Sequence, residues 1–229
     1  MRRKGPHQPE VGGLPPIIPV FPLPGVLLLP TRYLPLNIFE PRYLAMVRDA
    51  WTGNRLIGMI QPMVPETGAT PPPLYSVGCV GRIDQLRETA DGRLLITLEG
   101  QCRFRVDYEV PVDSPYREVR ADFSAFAGDL SLAEAEEDLA DNYGEAEAGA
   151  FYDMLDRFAR VLGIPLDWEE VRKASLPYMI DVVAMICPFE PAEKQALLEA
   201  ADGRQRYQIL LRLMQMRIAA PPDFDTSLQ

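Results

Sequence analysis

Short apolar runs cut by prolines dominate the first part of the chain. Residues 17–43 read IIPVFPLPGVLLLPTRYLPLNIFEPRY. Because proline removes a backbone hydrogen-bond donor and fixes φ, this stretch predicts neither a single helix nor a central strand. We expect two or three short, bent, buried strands, with Gly25 and the prolines turning the corners of a barrel-like sheet.

A helical period replaces this pattern at Glu40-Pro41. An acidic residue beside proline is typical of a helix start, because the helix dipole favours negative charge there and proline fits the first turn. The apolar residues that follow are spaced i, i+3, i+4 and i+7, namely Tyr43, Met46, Val47 and Ala50. They predict a helix over 41–51 with one buried face. We expect Glu40 and Arg42, on either side of Pro41, to form an ion pair that fixes this corner.

Later apolar segments predict further strands. RLIGMIQ at 55–61 indicates a buried strand, and the runs 75–86 and 93–99 flank an Asp-Gly turn signal that is typical of a hairpin. Gly78 and Gly81 suggest bulges or a close approach of backbones. Because the connections are short, the sheet is expected to be mainly antiparallel.

Apolar and polar residues alternate towards the end of this apolar region. Gly100 is expected to break the second hairpin strand, and apolar and polar residues then alternate at 102–106 and at 116–123. Such alternation predicts strands with one face exposed to water. The Pro-rich segment 62–73 predicts an exposed loop.

A helical pattern begins after Gly128. The acidic, Ala-rich stretch 130–148 predicts a charged helix or a partly ordered connector. Further helices are predicted at 149–162, near 168–174, at 175–186, at 191–201 and over a final apolar stripe that contains Tyr207, Leu210, Leu211, Met214 and Ile218. We therefore predict an α+β chain with a disordered lead (1–15), a β-barrel part (16–126), an all-helical part (127–219) and a disordered tail (220–229).

Several ordered blocks carry a resemblance to a known family. They are PVFPLPGVLLLP, LPLNIFEPRY, GMIQP, VGCVGRI, DGRLLITLEGQCRFRV and EKQALLEA. From about residue 17 to about residue 213 the chain resembles the amino-terminal substrate-binding domain of Lon-type ATP-dependent proteases. The resemblance implies a small twisted barrel of the pseudouridine-synthase-associated kind, followed by a helical bundle. Since ATPase and protease parts are not recognised, it implies a stand-alone, substrate-handling module.

Composition narrows the classes of partner. The net charge of -10 and the pI near 4.7 argue against DNA, because binding to phosphates needs clustered Lys and Arg. No segment approaches the ~20 apolar residues that cross a membrane. The three cysteines, Cys79, Cys102 and Cys187, are widely spaced in apolar surroundings and predict buried thiols in a reducing compartment. We expect a cytoplasmic protein, and the sequence leaves open whether it forms a homo-oligomer.

The residues that catalysis requires are scarce. His7 is the only histidine, which excludes a Ser-His-Asp triad and removes the commonest zinc ligand. The sequence has no GxxxxGK[ST] phosphate loop, and its three lysines, Lys4, Lys173 and Lys194, offer no recognisable Ser-Lys site. The carboxylates at 136–141 lack the apolar neighbours that raise a pKa. We therefore expect a protein without enzymatic activity, cofactor or metal.

Apolar side chains are the main candidates for binding. A Pro-rich apolar edge suits unfolded polypeptide, which binds through strand pairing or adaptable Met and aromatic contacts. The candidate contacts are Leu27, Leu29, Tyr33, Leu34, Phe39, Met59, Met63 and Tyr75. For each of them, burial in the core is the competing interpretation, since large apolar residues usually lie inside.

Two other classes of function stay open. One is a small-molecule or RNA-binding barrel that uses a basic stripe of Arg103, Arg105 and Arg120; salt-sensitive RNA binding would identify it. The other is an adaptor whose acidic segment 130–148 docks onto a basic protein partner.

Overall fold

The computed structural model describes residues 11–63, 71–132 and 143–219. Contacts divide the chain into two compact units, Met1–Glu134 and Ala135–Gln229. The predicted tail 220–229 lies outside the described residues, as do most of the acidic stretch 130–148 and residues 1–10 of the predicted lead. The rest of that lead is ordered, contrary to prediction, because the side chain of Leu14 is buried in the core of the sheet.

The first unit is built on a mixed six-stranded sheet. Its strands are β1 (Ile17–Pro22), β2 (Tyr33–Ile38), β3 (Leu56–Ile60), β4 (Val77–Glu88), β5 (Leu94–Val110) and β6 (Arg117–Asp122), with helix α1 (Pro41–Thr52) between β2 and β3. The β1–β3 pair is parallel and the other pairs are antiparallel. Pairing runs from β5 through β4, β3, β1 and β6 back to β5, and β2 is attached to β5. The predicted helix, the buried strand at 55–61, the hairpin and the mainly antiparallel pairing are confirmed.

The prediction that the proline-rich stretch contains no central strand is wrong for β1. β1 lies between β3 and β6 although it contains Pro19. Its register explains why this is tolerated. The β6 partners face residues 17–20, whereas the β3 partners face only residues 20–22. Pro19 therefore has a neighbouring strand on one side only, as an edge residue would.

Gly100 does not end its strand, contrary to prediction. β5 continues through it to Val110. A Cβ atom at Gly100 would lie 2.0 Å from the carbonyl oxygen of Leu29. The Gly100 amide also donates to the Arg32 carbonyl at 2.8 Å, and its carbonyl accepts from the Thr31 amide at 2.8 Å. Glycine is therefore required because the segment before β2 crosses the backbone of β5.

A short 3-10 helix, Ser124–Ser131, packs against the sheet. The first unit therefore extends to Glu134, beyond the predicted boundary at residue 126. The backbone amide and guanidinium of Arg103 on β5 donate three hydrogen bonds to the carboxylate of Asp129, at 3.0, 2.8 and 2.8 Å. Only 6% of the Arg103 side chain and 5% of the Asp129 side chain are exposed. This buried ion pair holds Asp129, which the predicted boundary places in the helical part, against the sheet.

The second unit is helical. It contains α2 (Glu145–Leu162), α3 (Trp168–Val171), α4 (Leu176–Ile186), α5 (Pro191–Glu199) and α6 (Gly203–Ala219), and α6 contacts α2, α4 and α5. The predicted apolar face of α4 is buried, and Asp181 on the same helix binds the Arg206 guanidinium at 2.7 Å. All three cysteines of the chain are buried and none forms a disulfide, as predicted. Among the described residues, no helix is long and apolar enough to span a membrane.

Candidate polypeptide-binding surface

Three of the predicted contact residues are in the core. Leu27, Leu29 and Met59 are all buried, which corrects their selection as surface contacts. Met59 lies on β3, which has a strand on each side. Leu29 lies where its backbone crosses β5 at Gly100. Long-range packing thus covers apolar runs that, in the sequence, look the same as the exposed ones.

The other five predicted contacts reach the surface to different extents. Tyr33 is 57% exposed, Phe39 63% and Met63 42%, whereas Leu34 and Tyr75 are half-buried. The structure does not bring all of them together. Tyr33, Leu34 and Phe39 lie on or directly after β2.

Met63 and Tyr75 belong to a different place, a short stem between β3 and β4. There the Met63 amide donates to the Pro73 carbonyl, and the Tyr75 amide donates to the Gln61 carbonyl. This stem leads into the part of β4 that pairs with residues 102–105 of β5, whereas β2 pairs with residues 94–99. The two groups are therefore about 20 Å apart along an extended strand.

Strand β2 exposes one backbone edge. Among the described strands it pairs with β5 alone, from Tyr33–Glu99 to Ile38–Leu94. The hydrogen bond from Gly100 to Arg32 fixes the phase of this ladder. Because bonded and non-bonded pairs alternate, Leu34 and Leu36 bond to β5, while the backbone groups of Tyr33, Pro35 and Asn37 point away from it. Pro35 thus occupies a position where its missing N–H costs the sheet nothing.

No charged side chain lies on β2, whose sequence is YLPLNI. The nearest charges are at its ends. The Tyr33 hydroxyl donates to the Glu99 carboxylate at 3.3 Å, and the negative charge of Glu99 is the main reason that the pKa of Tyr33 is raised. The strand therefore presents, at one edge, uncharged side chains and backbone groups that have no strand partner within the described part of the chain.

A groove of about 470 Å³ lies on the sheet beside β2. Three cross-strand rows of β2, β5 and β4 line it: Pro35, Thr97 and Gln85; Leu36, Ile96 and Leu86; Asn37, Leu95 and Arg87. None of these nine residues is among the contacts predicted from the sequence, although Tyr33 and Leu34 lie next to them on β2. Their alignment depends on the register of three strands, which no single stretch of sequence shows.

A second exposed tyrosine lies elsewhere on the same sheet. Tyr108 on β5 is 56% exposed, and Arg120 on β6 lies between it and the exposed Ile17 on β1. This tyrosine, which the sequence analysis also missed, matches Tyr33 in exposure but pairs with Arg120 of β6 and lies far from β2 along β5.

The predicted ion pair at the corner after β2 forms. The Arg42 guanidinium lies 2.9 Å from the Glu40 carboxylate, and Pro41 is the first residue of α1. Arg42 also covers the ring of Tyr43 at 4.4 Å, and Tyr43 packs against Phe21 at 4.2 Å between ring centroids. Since both charges are about half exposed, the pair contributes little stability by itself. Its role in fixing the corner stays a prediction.

The predicted basic stripe is largely neutralised. Arg103 is buried against Asp129, and Arg120 lies 3.4 Å from the Asp107 carboxylate. Arg105 is exposed, with its guanidinium 5.7 Å from the Phe126 ring. These arginines do not form the continuous cationic surface that phosphate recognition needs. Within residues 11–63, 71–132 and 143–219, no group of His, Cys, Asp and Glu could hold a metal ion.

Known proteins are similar to the chain in sequence. Lon protease from Dictyoglomus thermophilum is 27% identical over 201 residues, which are 85% of this chain and 24% of that protein. Lon protease 2 from Myxococcus xanthus is 27% identical over 209 residues, which are 88% and 24% of the two chains. The chain thus spans about a quarter of the length of these relatives.

Two solved structures have a similar fold. The N-terminal domain of a Mycobacterium avium complex Lon protease gives a TM-score of 0.58 at 18% identity, covering 87% of this chain and 98% of that one. A Lon N-terminal domain protein from Xanthomonas campestris gives a TM-score of 0.56 at 22% identity, covering 85% of this chain and 96% of that one. A family model described as the substrate-binding domain of ATP-dependent protease La (LON) matches residues 17–216. The chain belongs to this family of LON substrate-binding domains.

Proposed function

We propose that the chain is a non-enzymatic module that binds unfolded polypeptide or exposed apolar segments of proteins. One observation carries this proposal: β2 combines an unpaired backbone edge with exposed Tyr33 and, directly after it, exposed Phe39. Adaptable aromatic and backbone contacts suit ligands that share no fixed surface. Membership of a family of substrate-binding domains supports the same reading.

Three finer features belong to this proposal: a barrel, a cytoplasmic location and the absence of catalysis. We infer that the first unit is a small barrel, because the strand pairings return from β6 to β5. The cytoplasmic location stays a prediction. The absence of catalysis is proposed on a positive ground, namely that the matched family model is that of the binding domain.

The alternatives have less support. RNA binding is opposed by the ion pairs of Arg103 and Arg120. The adaptor hypothesis depends on the acidic stretch 130–148, which lies mostly outside the described residues. Deletion of residues 133–142 within that stretch, which spares the 3-10 helix and α2, followed by a pull-down, separates it from polypeptide binding. An adaptor loses its partner, whereas the proposed module keeps its affinity for unfolded chains.

The proposed function is tested with a labelled, permanently unfolded polypeptide and the same polypeptide in its folded form, followed by fluorescence anisotropy. We expect saturable binding to the unfolded form alone, with a Kd at or below tens of micromolar. The substitution Tyr33→Ser should weaken binding, and Tyr108→Ser, which removes an equally exposed tyrosine, should not. Equal binding to the folded polypeptide, or no saturable binding, would contradict the proposal.

A further inference from the structure

We propose that the bound polypeptide adds to β2 as an extra strand, so that backbone hydrogen bonding, and not only apolar contact, selects the ligand. This inference rests on the proposed function and specifies its site and the class of ligand. The ligand is an extended, proline-free segment with apolar side chains at alternate positions.

The backbone of β2 supplies the first part of the argument. Tyr33 and Asn37 each direct an N–H and a C=O away from β5, and Pro35 directs a C=O in the same way. Among the described residues, no segment outside the sheet hydrogen-bonds to these groups. A polypeptide in the extended conformation presents the matching donors and acceptors at the same spacing. Pro35 removes a single donor from an otherwise complete ladder.

The second part is charge. Edge strands of soluble proteins are usually guarded by charged side chains, bulges or coverage, since an unguarded edge pairs with other chains. This chain has 33 acidic and 23 basic residues, yet none of them lies on β2. Pro35 is the only guarding residue on the strand. An uncharged edge favours a neutral extended backbone over an acidic or basic partner.

The side chains of β2 define the preferred sequence of the ligand. Leu34 and Leu36 point to the inner face and are only half-buried, while Tyr33, Pro35 and Asn37 are exposed on the other face. An added strand would cover both leucines with every second side chain. Segments with a period of two, typical of β-strands, should therefore bind better than amphipathic helical segments of equal composition.

The test uses backbone N-methylation, which removes N–H donors without changing any side chain. Two versions of one alternating peptide are methylated on the two alternate sets of amides, and their affinities are compared by anisotropy. We expect methylation of one set to weaken binding at least tenfold and methylation of the other set to leave it within about twofold. In a strand added at an edge, only one of the two sets faces β2.

A protein variant supplies the complementary test. Asn37→Pro removes an outward N–H without removing a β2–β5 bond, and Asn37→Thr keeps that N–H. We expect the Pro variant to retain the wild-type melting temperature and lose at least tenfold in affinity, and the Thr variant to lose much less than the Pro variant. Equal effects of the two methylation patterns, with unchanged binding by Asn37→Pro, would overturn strand addition and leave the proposed function standing. Failure of the wild-type protein to bind unfolded polypeptide would overturn both.

Discussion

Removal of the Asp129 carboxylate should destabilise the first unit strongly. Asp129→Ala removes the acceptor of two hydrogen bonds from the Arg103 guanidinium and of one from the Arg103 backbone amide, while only about 6% of the Arg103 side chain is exposed. Breaking a buried ion pair from one side typically costs about 3–5 kcal/mol, because a desolvated charge is left uncompensated. We therefore expect the free energy of unfolding of this unit to fall by about 3–5 kcal/mol.

The two tryptophans of the chain allow each unit to be followed by itself. Trp51 lies in α1 of the first unit and Trp168 in α3 of the second. In a Trp168→Phe background, urea unfolding followed by fluorescence reports the first unit through Trp51 alone. A change in the midpoint without a change in slope measures the loss of stability.

An exposed ion pair of the same unit provides the matched control. Arg48 and Glu88 lie 3.2 Å apart, with more than half of each side chain exposed. Glu88→Ala should therefore cost less than about 1 kcal/mol. The double variant Arg103→Met with Asp129→Leu should recover part of the lost stability, since an apolar pair replaces both charges while the buried amide of residue 103 has still lost its Asp129 acceptor. A loss of stability in Asp129→Ala no larger than that in Glu88→Ala would refute this account of the buried ion pair between Arg103 and Asp129.

Two further predictions concern backbone contacts and titration. Gly100→Ala should prevent native folding of the first unit, because the added Cβ would lie 2.0 Å from the Leu29 carbonyl oxygen. Gly149→Ala in α2, where an added Cβ would meet no neighbouring atom within 4 Å, should instead stabilise the second unit by about 0.5–1 kcal/mol. Thermal melts of both variants check this, and equal effects of the two substitutions would contradict it. Burial raises the pKa of the Cys187 thiol from 9.0 to about 11, so the folded state holds a proton that the unfolded state releases and stability should fall between these two pH values. Unfolding at a series of pH values should show this fall in the wild type and less of it in Cys187→Ala; identical profiles would argue against it.

Local patterns predicted most elements of the fold. The helix at 41–51, the hairpin around Asp91-Gly92 and the apolar face of α4 each follow from periods or turn signals within a few residues. The proline argument held for β2, where Pro35 lies at an edge, and failed for β1. It failed because the register of β1 leaves Pro19 without a β3 partner, which the sequence of β1 alone does not show.

The candidate site was only partly predictable, for the same reason. Tyr33, Phe39, Leu27 and Leu29 look alike in the sequence, as apolar residues among prolines, and only long-range packing separates the exposed pair from the buried pair. Exposure of the β2 edge depends on which strands pair, and local propensity does not determine that.

Amide hydrogen exchange at β2 tests the central claim most directly. Exchange is measured by NMR residue by residue, with and without a saturating unfolded polypeptide. We predict that the ligand slows exchange of the outward amides of Tyr33 and Asn37 and changes little at Leu34 and Leu36, whose amides already bond to β5. Unchanged exchange at Tyr33 and Asn37 in a saturated complex would contradict the claim that this edge binds the polypeptide.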